Sequence, residues 1–281
     1  MKKLYVDDLS ELESVKLISS LAKIENFVGP LNYHERCGWE LPKENSILQH
    51  KLEDIQNFTQ KNMMLVNKKK SMIMPFNFTN SYDFIPWLNF PGEDPLKVIY
   101  ETKLLGITLR SDLSFSSHVD NICRKAKQNL WTLIRFRNMG ANIDQLMTIW
   151  QQKSRSVLEF ASTVFFSRLS QEQKTQMENC QRSAFAIILE KNYNGYEAAL
   201  ITLGQDTLEN RRTQAALRFG EKCLTHPQHS HMFPKNEDIN YSLRTRKPYK
   251  EYFCKTLRMF KSSLPTITRL LNDKHQSDKG A

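Results

Sequence analysis

The spacing of apolar residues changes along the chain. Up to about residue 115, short apolar runs bounded by Asn, Gly and Pro favour strands and turns, with stretches at helical spacing between them. The short runs lie at 3–9, 71–78, 98–100 and 104–109, and the helical stretches lie at 11–27 and 47–58. From His118 onward, apolar positions such as Val119 and Ile122 recur at helical spacing. The pattern predicts an α+β fold in which an all-helical part follows a part with short strands and two helices.

Two local signals refine this prediction. Arg110, Ser111 and Asp112 have turn chemistry between two apolar segments, which predicts a hairpin. Ser170, with Gln173 three positions later, predicts a capping box at the start of a helix.

These patterns divide the chain into three segments. Residues 1–115 are predicted to be the mixed part, and residues 116–225 the helical part. Residues 226–281 are largely polar and contain Pro, so they are predicted to form an irregular linker and a tail with one apolar patch at 264–271.

The net charge is unevenly distributed. The chain has 281 residues, of which 40% are hydrophobic, enough to bury a core, and its net charge is +10. Residues 1–100 hold 12 Lys and Arg against 13 Asp and Glu, whereas residues 101–281 hold 28 against 17. The downstream part is therefore the candidate surface for a polyanion, with an ordinary solubilising surface as the alternative.

Hydropathy and cysteine spacing bear on other classes of protein. No apolar run approaches the roughly 18 residues that span a bilayer, and no signal-peptide pattern is visible, so we expect a soluble intracellular protein without membrane contact. The sequence does not distinguish nucleus from cytoplasm. The five cysteines contain no CxxC pair, and His226, His229 and His231 lack partners at metal-ligand spacing. We therefore expect buried thiols and loop histidines rather than a zinc site.

The sharpest local signal for chemistry is the run Tyr5, Val6, Asp7 and Asp8. Two adjacent carboxylates on a turn between strands can bind a divalent metal through their oxygens. A solvated turn that happens to carry two acidic residues is the alternative.

A second candidate is a cationic stretch in the helix predicted after residue 118. Its basic residues and one aromatic residue are Arg124, Lys125, Lys127, Trp131, Arg135 and Arg137. Such a set can contact phosphates and stack on a base or sugar. The basic residues spread over several faces, and Trp131 can equally belong to the core, so the sequence does not resolve a single stripe.

Three motifs occur in a characteristic order along the chain. They are YVDD at 5–8, LVNKKKSMIMPF at 65–76 and KLLGITLRSD at 103–112. In order and spacing they resemble the metal-binding turn, a lysine-containing strand and the primer-grip hairpin in the reverse transcriptase of LINE-type (non-LTR, jockey-like) retrotransposons. Segments 113–119, 158–162 and 179–184 resemble the thumb of such enzymes. The resemblance implies a truncated polymerase palm in residues 1–115 and a thumb-like domain in residues 116–225.

The resemblance assigns metal and leaving-group roles. It implies that Asp7 ligates Mg²⁺ with Asp8 as its supporting neighbour, and that Tyr5 packs beneath the primer end. Lys70, with Lys69 as the fallback, matches a lysine near the leaving pyrophosphate, where it would act as a general acid. For the lysine run at 68–70, a solvated charge run is the alternative.

The resemblance also implies a primer grip at Leu104, Leu105 and Gly106. Gly106 has no side chain to keep a nucleic acid strand away from the backbone. A plain core hairpin is the competing interpretation. The implied partners are an RNA template and an RNA/DNA duplex, with no small-molecule cofactor, and the oligomeric state stays open.

Two functions are compatible with these features. Two-metal polymerisation needs a further aspartate, which in this family lies on a strand upstream of the residues that match Tyr5 to Asp8. We therefore expect a C-terminal reverse transcriptase fragment that is inactive by itself. The alternative is a non-catalytic, basic, helical nucleic-acid-binding module derived from a mobile element.

Overall fold

A computed structural model describes residues 43–76, 88–90, 94–236 and 247–280 of the chain. The described residues up to Ser114 form one compact unit, and those from Phe115 onward form another. Helices and short strands both occur, which confirms the predicted α+β composition. The predicted helix at 11–27 and the candidate residues Tyr5, Asp7 and Asp8 lie outside the described residues.

The smaller unit contains one long helix and four short strands in its described part. Its elements are α1 (Lys43–Lys61), a 3₁₀ turn (Lys68–Lys70), β1 (Met72–Ile73), β2 (Lys97–Val98), β3 (Glu101–Leu104) and β4 (Ile107–Arg110). β1 and β2 pair in parallel, and β3 and β4 form an antiparallel hairpin. The helix predicted at 47–58 is thereby confirmed.

The hairpin turn lies earlier than the turn residues at 110–112 indicated, inside the segment 103–112 that resembles a primer-grip hairpin. Leu104 pairs with Ile107, so the turn consists of Leu105 and Gly106. Their φ angles are 47° and 87°, and two positive φ values in a two-residue loop are typical of a type I′ turn. Asp112 instead ends the hairpin, because its Oδ1 accepts a hydrogen bond of 2.9 Å from the Ser114 N–H. The turn predicted at 110–112 is present, since the Leu113 N–H donates a hydrogen bond of 2.8 Å to the Arg110 carbonyl, but it follows β4 and does not join the two strands of the hairpin.

The larger unit is helical throughout most of its described part. Its α-helices are α2 (Ser116–Asn138), α3 (Ile143–Ile149), α4 (Ser156–Glu159), α5 (Ser162–Phe165), α6 (Gln171–Leu189), α7 (Tyr196–Thr202), α8 (Leu208–Thr225), α9 (Leu257–Phe260) and α10 (Ser263–Gly280). A π-helical segment, Trp150–Arg155, links α3 to α4. Its described residues form no β-strand, only an isolated bridge between Lys235 and Tyr249.

The predicted capping box is present at the start of α6. The Ser170 hydroxyl accepts a hydrogen bond of 3.2 Å from the Gln173 N–H. The Gln173 side-chain oxygen in turn accepts one of 2.9 Å from the Ser170 N–H. Two N–H groups that the helix leaves unpaired are satisfied in this way, which fixes where α6 begins.

The described part of the C-terminal segment, residues 226–236 and 247–280, is more ordered than the irregular linker and tail predicted for 226–281. Within it, α10 packs against α8, and Ile267 and Leu271 are buried. The contact is close, since a Cβ at Gly220 of α8 would lie 2.7 Å from Ile267 Cγ2. The Ser263 hydroxyl also donates a hydrogen bond of 2.7 Å to the Val164 carbonyl oxygen. The apolar patch at 264–271 is therefore the buried face of a helix in the core.

No helix within the described ranges combines the length and apolar character needed to cross a membrane.

Candidate nucleic-acid interface

The residues that the sequence assigned to primer and pyrophosphate lie on two elements of the smaller unit. Lys70 is exposed and ends the 3₁₀ turn, where its backbone N–H donates a hydrogen bond of 3.0 Å to the Asn67 carbonyl. Leu104 and Leu105, at the hairpin end, are 45% and 43% exposed. Gly106 completes the turn in the positive-φ region that favours glycine. The tip of the hairpin therefore presents backbone and apolar surface to solvent.

Helix α2 brings four of the predicted nucleic-acid-binding residues onto one side. Arg124, Lys127, Trp131 and Arg135 follow each other at intervals of three, four and four residues and are all exposed. Residues at these intervals lie on one face of an α-helix. We call this surface the basic face. Lys125 is exposed too, but it lies about 100° further around the helix.

The opposite side of α2 explains why the basic face points outward. Val119, Ala126 and Leu133 are all fully buried, where α2 packs against α6 and the π-helical segment. An apolar stripe on one side of a helix leaves the residues on the other side in water. Trp131 is 62% exposed, so the interpretation that places it in the core is wrong.

Trp131 and Arg135 contact each other on this face. The Arg135 guanidinium carbon lies 4.7 Å from the centroid of the Trp131 ring. This spacing of four residues allows a cation–π contact between neighbouring turns of the helix. The contact holds the cation over one face of the ring, and the other face is left for a further partner.

Several cations elsewhere in the larger unit are paired with carboxylates. Arg137, toward the buried side of α2, lies 3.3 Å from Glu190. Glu159 binds both Arg211 and Arg155, the latter at 3.7 Å. Glu190 and Glu159 thus neutralise these arginines within the unit.

The basic face differs in this respect. Among the described residues, no ion pair involves Arg124, Lys125, Lys127 or Arg135. Arg124 donates only to the neutral Asn121 side chain, at 3.2 Å. The one acidic residue of α2, Asp120, accepts a hydrogen bond of 3.0 Å from Gln176. The cations of the basic face are therefore available to an external anion.

The structure adds two residues that sequence reasoning missed. The Asn129 amide donates a hydrogen bond of 2.6 Å to the carbonyl oxygen of Lys153, in the π-helical segment, and the Lys153 side chain is exposed. Asn129 lies one turn beyond Lys125, so the backbone of Lys153 is held against α2 at this point. Gln128, exposed between Arg124 and Trp131, adds a side-chain amide. The position of Lys153 depends on a π-helix, for which its local sequence carries no signal.

The larger unit carries a net positive charge. Residues 115–281 hold 26 Lys and Arg against 15 Asp and Glu, so the positive excess of the chain belongs here.

Cys123 and Cys180 are buried side by side, as expected of structural thiols, and a hydrogen bond between them together with burial raises the pKa of Cys123. The described part of the chain contains no group of three or more His, Cys, Asp or Glu residues that could hold a metal ion.

Compared with known proteins, the chain matches no protein-family model, no curated protein and no solved structure at a significant level. Its elements and its charge define it as a mixed α+β protein with a cationic helical unit.

Proposed function

We propose that this chain is a C-terminal fragment of a LINE-type reverse transcriptase, and that its thumb-like part binds nucleic acid through the basic face. The observation that carries the proposal is that the exposed face of α2 holds Arg124, Lys127 and Arg135 without a carboxylate partner. Basic residues clustered on one face are the electrostatic footprint of a nucleic-acid-binding surface.

Binding by such a face gains free energy from the release of counterions. Each phosphate that a Lys or Arg neutralises sets free condensed cations, and the gain does not depend on base sequence. Arginine side chains add bidentate hydrogen bonds to phosphate oxygens. We therefore expect affinity for RNA and for an RNA/DNA duplex without strong sequence preference.

The relationship to reverse transcriptases is supported by the order of the motifs at 5–8, 65–76 and 103–112. The glycine at the tip of the β3–β4 hairpin suits close approach of a primer strand to the backbone. The assignment of Asp7 and Asp8 as Mg²⁺ ligands, and of Lys70 as a general acid, belongs to the same proposal. The alternative, a non-catalytic module, uses the same basic face and differs in having no role in polymerisation even within a longer protein.

Catalysis and binding are tested separately. We expect no primer extension on an RNA template by the chain alone, and Mg²⁺-dependent extension that Asp7→Ala abolishes would contradict this expectation. Nucleic-acid binding without extension agrees with both the inactive fragment and the non-catalytic module.

The binding proposal is tested with a matched pair of variants. In the first, Arg124, Lys125, Lys127 and Arg135 are changed to Gln. In the control, four exposed cations on other elements, Arg218, Lys235, Lys255 and Lys261, are changed to Gln, so both variants lose the same charge. Fluorescence anisotropy with a labelled RNA/DNA duplex at low salt should show about tenfold or greater weakening for the first variant only. Equal weakening by both variants would show that general charge, and not the basic face, attracts the nucleic acid.

A further inference from the structure

We infer that the basic face selects nucleic acid with an unpaired base, and that Trp131 is the platform on which this base stacks. The inference rests on the proposed nucleic-acid binding and goes beyond it, because it names the form of nucleic acid that the face prefers. The occupant is single-stranded RNA or DNA, and a duplex is the competitor.

The position of Trp131 is the first argument. Its ring is 62% exposed on a helix whose other side is buried. It lies between Arg124, about 10 Å along the helix axis in one direction, and Arg135, about 6 Å in the other. A base on the ring would thus have a cation on each side to meet its flanking phosphates.

The Trp131 ring is also held in place before any ligand binds. Arg135 lies 4.7 Å from the ring centroid, and this contact restricts both side chains before any ligand arrives. A pre-ordered ring loses less conformational entropy when a base stacks on it. The larger unit has another tryptophan, Trp150, which is fully buried in the core. Tryptophan is therefore not exposed throughout this unit, and Trp131 is exposed because it lies on the outer side of α2.

A duplex and a single strand differ in whether the faces of their bases are accessible to Trp131. In a duplex the faces of the bases are covered by neighbouring base pairs, so a ring on a helix surface reaches only sugars and phosphates. In a single strand the bases can unstack, and every base has a face on which an aromatic ring can stack. The Gln128 amide, one turn before Trp131, can hydrogen-bond the edge of the same base. Phosphate contacts are common to both forms, so the stacking contact decides between them.

The expected effect is a loss of affinity that depends on the ligand. Stacking of one base contributes enough that Trp131→Ala should weaken single-strand binding about 5- to 150-fold. Binding of a duplex should change less than about twofold, because its phosphate contacts remain. Trp131→Phe should restore part of the single-strand affinity, since a smaller aromatic ring still stacks.

The test uses one RNA strand of mixed sequence, either alone or annealed to its DNA complement. Anisotropy titrations at fixed salt compare wild type, Trp131→Ala and Trp131→Phe on both ligands. Indole fluorescence is a second readout, because stacking on Trp131 should quench emission in wild type beyond the change seen in Trp131→Phe. Circular dichroism confirms that each variant is folded.

The outcomes separate the two proposals. A selective loss of single-strand affinity in Trp131→Ala, with quenching in wild type, supports stacking. Equal affinities of wild type and Trp131→Ala for the single strand, or equal losses on both ligands, overturn the stacking inference while binding through the cations stands. Absence of binding to either ligand by wild type overturns both.

Discussion

The Arg135 guanidinium lies over the Trp131 ring on the exposed side of α2, with 4.7 Å between the guanidinium carbon and the ring centroid. The contact faces water and contributes little to folding, since exposed cation–π pairs stabilise by about 0.5–1 kcal/mol. Its location gives it another use. A ring and a cation held together in water form a surface on which a base and its phosphate can be bound at once.

Substitution of the two described tryptophans should therefore have opposite consequences. Trp131→Ala should lower the free energy of unfolding by at most about 1 kcal/mol, because an exposed ring loses little on removal. Trp150→Ala should lower it by about 3–5 kcal/mol, since Trp150 is fully buried and its removal leaves a cavity. Urea denaturation followed by circular dichroism measures both. A large loss in Trp131→Ala would mean that the ring supports the fold.

The capping box of α6 should contribute measurably to stability. Ser170→Ala removes the side-chain acceptor for the Gln173 N–H, and the expected loss is about 1 kcal/mol. Ser183 is the matched control, because it is exposed on the same helix and its hydroxyl bonds only to the Asn179 carbonyl within the helix. Ser183→Ala should change stability by less than about 0.5 kcal/mol. Similar losses in both variants would argue against a specific contribution from the cap.

Glu159 holds two arginines together in the larger unit. It binds Arg211 through both of its oxygens and lies 3.7 Å from Arg155. The three side chains are partly buried, so Glu159→Gln should cost about 1–3 kcal/mol by leaving two cations without their counter-charge.

The control for Glu159 is an exposed pair. Glu221→Gln breaks an ion pair with Lys274 whose side chains are 40% and 46% exposed. Exposed pairs of this kind contribute about 0–1 kcal/mol. If the two substitutions cost the same, the partial burial around Glu159 does not strengthen its contacts.

The histidine loop after α8 predicts a pH dependence. Partial burial lowers the pKa of His229, and the neighbouring His226 and His231 lower it further, while the His226 and His229 rings stack at 4.5 Å. Between this lowered pKa and the value of about 6.5 in an unfolded chain, the unfolded state binds more protons. Stability should therefore fall as pH drops through about 6.5, and level off below the lowered pKa. Denaturation curves across this range should show a smaller decline for His229→Gln, and an unchanged decline would refute the role of His229.

Periodicity alone predicted the parts of the fold that depend on local contacts. The buried stripe of α2 and the capping box of α6 follow from residue spacing within one helix. The turn at Leu105 was not predictable in this way, because a positive φ at a leucine carries no local signal. The packing of α10 against Gly220 also depends on a contact between distant segments.

The candidate site was predictable to a similar extent. The sequence named every residue of the basic face, and the structure resolves their common side and the exposure of Trp131. It did not predict that the exposed Lys153 lies next to α2, where its π-helical carbonyl accepts a hydrogen bond from Asn129. Tyr5, Asp7 and Asp8 stay predictions.

Phosphate contact by the basic face is tested most directly by how the affinity for nucleic acid depends on salt concentration. Affinity for a single-stranded RNA is measured from about 50 to 200 mM salt for wild type, the variant with Arg124, Lys125, Lys127 and Arg135 changed to Gln, and the control variant with Arg218, Lys235, Lys255 and Lys261 changed to Gln. Each lost phosphate contact lowers the slope of log affinity against log salt by about 0.7 for a single strand. The first variant should therefore have a slope shallower by up to about 3, while the control keeps nearly the wild-type slope. Identical slopes for wild type and the first variant would contradict phosphate binding by the basic face.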